Sequence, residues 1–187
     1  MNVGAVLVHI DLDGDRPHAA SVSALAAGRA VASSWGATLY AALLAHASEP
    51  RGDADIPGEI VTTLAHAGAD KIVVAMTDAP VAPTWGSSGA AWQRVFDQLR
   101  PRLVLFGEDA PSVSELAPRT SAQLEARLVQ GARALDGDEI DLRDPDGAGV
   151  RVGDPGVTVV TIRGDHVAPR GDEDIDVVVL AAPGDPR

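Results

Sequence analysis

The chain has 187 residues, of which 45% are hydrophobic and 3% aromatic, so it is large enough to bury an aliphatic core. Its formal net charge of −12 excludes the Lys/Arg-rich surface on which nucleic-acid binding depends. It contains no cysteine, which excludes disulfides, thiolate nucleophiles and cysteine-ligated zinc or iron–sulfur centres.

The chain enters its first predicted strand, Val3–Ile10, with no basic segment ahead of it. The N-terminus therefore lacks the charged region that begins a signal peptide. No apolar run approaches the roughly 20 residues needed to cross a bilayer. We expect a cytoplasmic protein that does not insert into a membrane.

Strand and helix patterns alternate through the first two thirds of the chain. Strands are predicted where short apolar runs occur, and helices where apolar residues recur every three or four positions. The predicted strands are 3–10, 38–45, 71–76 and 103–106, and the predicted helices are 19–34, 56–67, 86–99 and 113–128. This alternation predicts an α/β fold, in which a Rossmann-like parallel sheet of order 3-2-1-4-5 carries helices on both faces.

The pattern changes after residue 129. A fifth strand is predicted at Ala132–Leu135, followed by an Asp/Gly-rich hairpin or long loop at 137–156. Two β-branched strands, Val157–Arg163 and Ile175–Ala182, have no helix between them, which predicts antiparallel additions at the sheet edge. With no repeat in the sequence, we expect residues 1–187 to form one domain, with its core in residues 3–169 and an edge strand at 175–182.

The turn after the fourth predicted strand is a candidate binding crevice. Ser112, with Glu115 three residues later, has the spacing of a helix capping box. Arg119, one turn further along, is placed either to reach an anion or to pair with Glu115. Open α/β sheets bind ligands beyond the carboxyl ends of their strands. The candidate residues of a nucleotide crevice are Asp11, Gly107, Glu108, Ser112 and Arg119.

The acidic run Asp11–Asp15 supports an alternative function. It resembles the DxDG signature of haloacid-dehalogenase-like phosphatases, in which the first Asp (here Asp11) attacks phosphorus and the second (Asp13) transfers a proton, beside Mg²⁺. Asp15 stands where that signature has Thr, and Lys71 lies at the start of its strand, away from the strand tips. Ordinary turn chemistry is therefore the favoured interpretation of this run.

Three segments resemble the N-terminal domain of the electron transfer flavoprotein alpha subunit. They are AGADKIVVA at Ala67–Ala75, LAPRTSAQL at Leu116–Leu124, and VTVVTIRG at Val157–Gly164. They occur in the order and at about the spacing of that family. The resemblance implies a Rossmann-like fold of the adenine nucleotide alpha hydrolase type.

The resemblance also implies a function. The chain ends at Arg187, before the C-terminal domain that holds FAD in family alpha subunits, so we expect a stand-alone, non-catalytic scaffold or subunit-binding module in electron transfer. It implies that this chain alone binds no cofactor, and that FAD or AMP would be held only through a complex. The implied partner is a beta-like subunit, with a homodimer as the alternative. An AMP- or ATP-binding sensor remains a further alternative.

Two residues are candidates for that interface. Trp85 is predicted to lie in a proline-rich loop, where an exposed indole would anchor a partner. Arg163 resembles a family arginine near the subunit and flavin interface. The alternative for Arg163 is an edge-strand charge that prevents aggregation.

Overall fold

A parallel sheet of seven strands forms the centre of the molecule. The computed structural model describes residues 4–46, 56–136, 141–143, 149–151, 156–168 and 175–181. In chain order the elements are β1 (Ala5–Ile10), β2 (Leu12–Asp13), β3 (Arg16–Pro17), α1 (Ala19–Trp35), β4 (Leu39–His46), α2 (Gly58–His66), β5 (Lys71–Thr77), α3 (Trp85–Leu99), β6 (Pro101–Gly107), α4 (Val113–Gln123), β7 (Arg127–Ala132), β8 (Ala134–Asp136), β9 (Asp141–Arg143), β10 (Gly149–Arg151), β11 (Thr158–Ile162) and β12 (Asp176–Leu180).

The strand order of the sheet is β12-β5-β4-β1-β6-β11-β7, and every neighbouring pair is parallel. The predicted α/β class and the 3-2-1-4 part of the order are therefore confirmed. Two short antiparallel ribbons accompany the sheet, one formed by β2 and β3 and the other by β8, β9 and β10.

The predicted placement of the late strands was wrong. Strand β11 lies between β6 and β7, parallel to both, whereas we expected an antiparallel strand at the edge. Its residues TVVTI are buried at every position, because a strand with two apolar faces is stable only with neighbours and helices around it. The β8–β10 ribbon lies between β7 and β11 along the chain, and the described residues of this crossover include no helix. Strand β12 is an edge strand as expected, but it runs parallel to β5.

The fourth helix is shorter than predicted. Helix α4 ends at Gln123, and Leu128 and Val129, which continue its apolar spacing, belong to strand β7 instead. The chain leaves the helix at Glu125, whose φ of 49° is left-handed, and the amide of Ala126 bonds back to the Ser121 carbonyl at 2.8 Å. The predicted fifth strand, 132–135, is thus divided between β7 and β8.

Helices cover both faces of the sheet. The side chains of β1 alternate between two apolar clusters, with Val8 facing the cluster that contains residues of α1 and α2, and Leu7 facing that of α3 and α4. Trp92 and Phe96 fill the second cluster and are almost fully buried. No helix in the described ranges combines the length and apolar character needed to span a membrane.

Gly107 allows strand β6 to end against the first turn of α1. A Cβ at this position would lie 2.4 Å from the carbonyl carbon of Ala20 and 2.5 Å from its oxygen. Backbone atoms cannot move aside as a flexible side chain can. Gly107 is therefore a packing residue at the predicted crevice, where it brings the strand tip close to a helix.

We predict that Gly107→Ala lowers the free energy of unfolding by about 1–3 kcal/mol, the usual cost of overpacking. Urea denaturation of the purified variant measures this loss. Gly86→Ala is the matched control, because no neighbouring atom lies within 4 Å of its added Cβ and alanine favours the helix there. Equal stability of the two variants would contradict the packing role of Gly107.

Candidate functional site

A cavity of about 460 Å³ opens at the carboxyl ends of strands β1 and β4. Its other walls are the 80–83 segment before α3 and the beginning of α4. This volume lies within the range of roughly 300–1,000 Å³ that is typical of small-molecule sites. Its apolar lining residues are Ile10, Leu12, Leu44, Ala45, Pro80, Val81, Ala82, Pro83, Pro111 and Leu116.

The polar wall of this cavity is a cluster of His9, Asp11 and Ser112. The Ser112 hydroxyl donates to Oδ2 of Asp11 at 2.6 Å, and the Ser112 amide lies 3.4 Å from the same oxygen. Nδ1 of His9 lies 3.3 Å from the Ser112 hydroxyl and 3.6 Å from Asp11 Oδ2. The cluster joins two strand-end positions of β1 to the turn that precedes α4.

The carboxylate of Asp11 is stabilised in its charged form. Burial of the side chain raises its pKa, but hydrogen bonds from His9 and Ser112, together with the charge of the imidazole, outweigh burial and lower the pKa below its ordinary value of 3.8. Asp11 is therefore ionised at neutral pH, and it places a carboxylate in the lining of the cavity.

The three side chains do not form a hydrolase triad. In such a triad the serine bonds to one ring nitrogen of the histidine and the aspartate to the other. Here Ser112 and Asp11 both face Nδ1 of His9, and the serine hydroxyl donates a hydrogen bond to the aspartate. This arrangement orders the hydroxyl and does not activate it as a nucleophile.

His9 sits in an aromatic environment on the α3/α4 face of the sheet. It is only 3% exposed, its ring stacks on Phe106 at 5.4 Å, and the ring of Trp92 meets it edge-on at 4.8 Å. Nε2 of His9 is buried and has no hydrogen-bond partner in the described part of the chain. His9 is not among the site residues predicted from the sequence. A single polar residue within the apolar run of β1 is the feature that could have indicated it.

The capping box predicted for Ser112 and Glu115 is wrong. The Ser112 side chain makes no capping bond, because its hydroxyl is bound to Asp11 instead. The Glu115 carboxylate accepts a hydrogen bond at 2.8 Å from the backbone amide of Trp85, the first residue of α3. Both residues thus connect α4 to other elements, contacts that local spacing cannot reveal.

The structure places Glu108 away from the cavity. Its Oε2 accepts hydrogen bonds from the Thr161 hydroxyl and, at 3.2 Å, from the Gly131 amide, while Oε1 lies 3.6 Å from a guanidinium nitrogen of Arg163. These contacts join the tips of β6, β11 and β7. Arg119 is exposed on α4 and does not line the cavity either. Of the five predicted crevice residues, only Asp11 and Ser112 meet there.

The family model for the electron transfer flavoprotein domain matches residues 6–183 of this chain. The chain belongs to the electron transfer flavoprotein family. A search of curated proteins gave no match. The matched range covers all seven strands of the parallel sheet from Val6 onward, so the family assignment applies to the whole fold.

In this electron transfer flavoprotein-family chain, the residues that a haloacid-dehalogenase-like phosphatase would need do not lie together. Asp13 is exposed on the β2–β3 ribbon and does not line the cavity with Asp11. Lys71 begins β5, at the end of the sheet opposite the strand tips, and pairs with Asp176 at 3.3 Å. Within the described ranges, no group of three or more acidic or histidine side chains is placed to hold a metal ion.

We predict that Asp11→Asn removes a pH-dependent contribution to stability of about 1 kcal/mol, the difference between a charged and a neutral hydrogen bond. Because the pKa of Asp11 is depressed in the folded state, this contribution is complete at neutral pH and is lost as the pH falls below about 4. Urea denaturation of both proteins between pH 3 and 7 measures it.

Asp13→Asn is the control for that comparison, since Asp13 is exposed and its replacement should change stability by less than about 0.5 kcal/mol. A constant difference between wild type and Asp11→Asn across the whole pH range would show that the charge of Asp11 is not what stabilises the cluster.

Proposed function

We propose that this electron transfer flavoprotein-family chain is an alpha-subunit-like, non-catalytic module that pairs with a second chain of the same family. The match over residues 6–183 supports a role within an electron transfer flavoprotein assembly. The segments that resemble the alpha subunit contribute contacts that hold the fold together. Asp70, in the segment 67–75, is an example. Its carboxylate accepts bonds from the Leu39 amide at 2.7 Å and from Arg29 at 2.6 Å, and so joins β4, α1 and the entry to β5.

The observation that carries the partner proposal is the exposure of strand β12. It is the outermost strand on its side of the sheet, and no described strand pairs with its outer edge. Val177, Val178 and Val179 are 40%, 38% and 40% exposed, so both faces of the strand present apolar surface. An open edge lined by valines is the kind of surface to which another chain adds through backbone hydrogen bonds and apolar contacts.

The other surfaces considered from the sequence are less suitable. Strand β11 is buried at every position and cannot offer an edge. The indole of Trp85 is half-buried and folds over Gly89, where an added Cβ would lie 2.7 Å from the ring. Arg163 is half exposed, and its guanidinium faces Glu108. Trp85 and Arg163 remain predicted contacts at the carboxyl edge of the sheet, secondary to β12.

The cofactor proposal is that this chain alone holds no flavin and that FAD or AMP binds only in a complex. The ionised carboxylate of Asp11 opposes phosphate in the cavity, and none of the lining residues is Lys or Arg. A dinucleotide would therefore lack a positive partner for its pyrophosphate there.

We predict that Val178→Lys weakens association with a beta-like electron transfer flavoprotein chain from the same organism by about tenfold or more. A lysine on the open edge places a charge where the partner strand would lie. Light-scattering mass and calorimetry of the mixed chains measure the complex.

Val167→Lys is the matched control, because Val167 is 93% exposed and lies outside the strand. A self-associated dimer that Val178→Lys dissociates would make a second copy the partner instead. A monomer that binds neither a beta-like chain nor itself would refute the proposed function.

We predict that the chain, purified alone, has no flavin absorbance in the visible range, and that flavin appears only when the partner is co-purified. Stoichiometric flavin in the isolated chain would refute the cofactor proposal while leaving the partner proposal open to its own test.

A further inference from the structure

Several polar side chains that line the cavity next to Asp11 are placed to accept hydrogen bonds from a ligand. The Ser112 hydroxyl already donates to Asp11, and the Ser88 hydroxyl donates to the Ala82 carbonyl at 2.7 Å. Nδ1 of His46 lies 3.2 Å from the Thr77 carbonyl, which places the proton of the neutral ring on Nδ1 and leaves Nε2 as an acceptor. These three lining side chains therefore direct their protons to protein acceptors and have lone pairs to offer a ligand.

His9 also lines this wall and is almost fully buried. Because the Ser112 proton is directed to Asp11, the 3.3 Å contact between Ser112 and Nδ1 of His9 is made by a proton on Nδ1. Nε2 of the same ring has no hydrogen-bond partner within the described ranges, and His9 is only 3% exposed. A buried polar atom without a partner is uncommon in folded proteins.

The rim of the same cavity is apolar and exposed. Leu12 and Val81, which are 39% and 45% exposed, both line it. Pro80 and Pro83 on the same loop add apolar surface and limit its conformational freedom. A ligand that covers these side chains would remove apolar surface from water, which favours binding. The walls thus suit an apolar body, whereas the inner end suits a positive, donating group.

We infer that this cavity binds a small apolar molecule carrying a protonated amine, of the size of an arylalkylamine, and not a phosphorylated nucleotide. The ammonium group would lie at Asp11 and the aromatic body between Leu12 and Val81. The inference concerns a site separate from strand β12, so it stands or falls independently of the partner proposal.

Tryptamine and indole-3-acetate test this inference, because they share the indole and carry opposite charges. Isothermal titration of the full chain at pH 7 is expected to give a millimolar or tighter dissociation constant for tryptamine and at least about tenfold weaker binding of indole-3-acetate and of AMP. Binding of either anion as tightly as tryptamine, or no binding of tryptamine, overturns the inference.

Two variants locate the ligand. Asp11→Asn should weaken tryptamine binding about tenfold or more, whereas Asp13→Asn, which lies outside the cavity, should leave it unchanged. Val81→Lys tests the same site if Asp11→Asn fails to fold. Because Val81 is exposed, we expect this variant to fold like the wild type. The added lysine should weaken tryptamine and strengthen indole-3-acetate. Unchanged affinities in Val81→Lys would place the ligand elsewhere and refute the assignment.

Discussion

The contacts of Asp11 hold the centre of this structure together. Strand β1 is the middle strand of the sheet, and Asp11 follows it directly. Its amide donates to the Ser21 hydroxyl of α1 at 3.1 Å, its carbonyl accepts from the His18 amide at 2.8 Å, and its carboxylate binds Ser112 before α4. Because α1 and α4 lie on opposite faces of the sheet, one residue joins both layers at the strand tips.

The same contacts determine what the strand tips can bind. In many open α/β sheets the helix N-termini at this edge are free to donate to phosphate. Here the amide and hydroxyl of Ser112 are directed to an ionised carboxylate, so the edge carries negative charge where a phosphate would need donors. The fold of the electron transfer flavoprotein family therefore carries a cavity whose lining contains an ionised carboxylate and no Lys or Arg.

The last third of the chain completes the sheet. Strand β11 is inserted between β6 and β7, and the Glu108 carboxylate connects their three tips through Thr161 and Gly131. Strand β12 then returns to the opposite side, where it pairs with β5 and leaves its outer edge open. The sheet thus ends in the partly exposed strand β7 on one side and in the exposed valines of β12 on the other, where we propose that a partner binds.

The sequence by itself determined the α/β class, strands β1, β4, β5 and β6 and helices α1 to α3 to within a few residues, and the family. These depend on local apolar spacing, as in Val6–Ile10, and on short segments such as 67–75, which are properties of neighbouring residues. Spacing could not distinguish Leu128 and Val129 as strand residues, because the left-handed Glu125 that ends α4 has no sequence signature.

Only the tertiary structure decided where β11 lies in the sheet and which residues line the cavity at the strand tips. Asp11 and Ser112 are 101 residues apart, and whether the Ser112 hydroxyl caps its own helix or binds a distant carboxylate depends on which groups the folded sheet brings within reach. Glu108 and Arg119, close to Ser112 in sequence, point to other partners or to solvent for the same reason. Hydrogen bonds between strand tips follow the order of strands in the sheet, and that order is fixed by burial of whole strands and not by any local pattern.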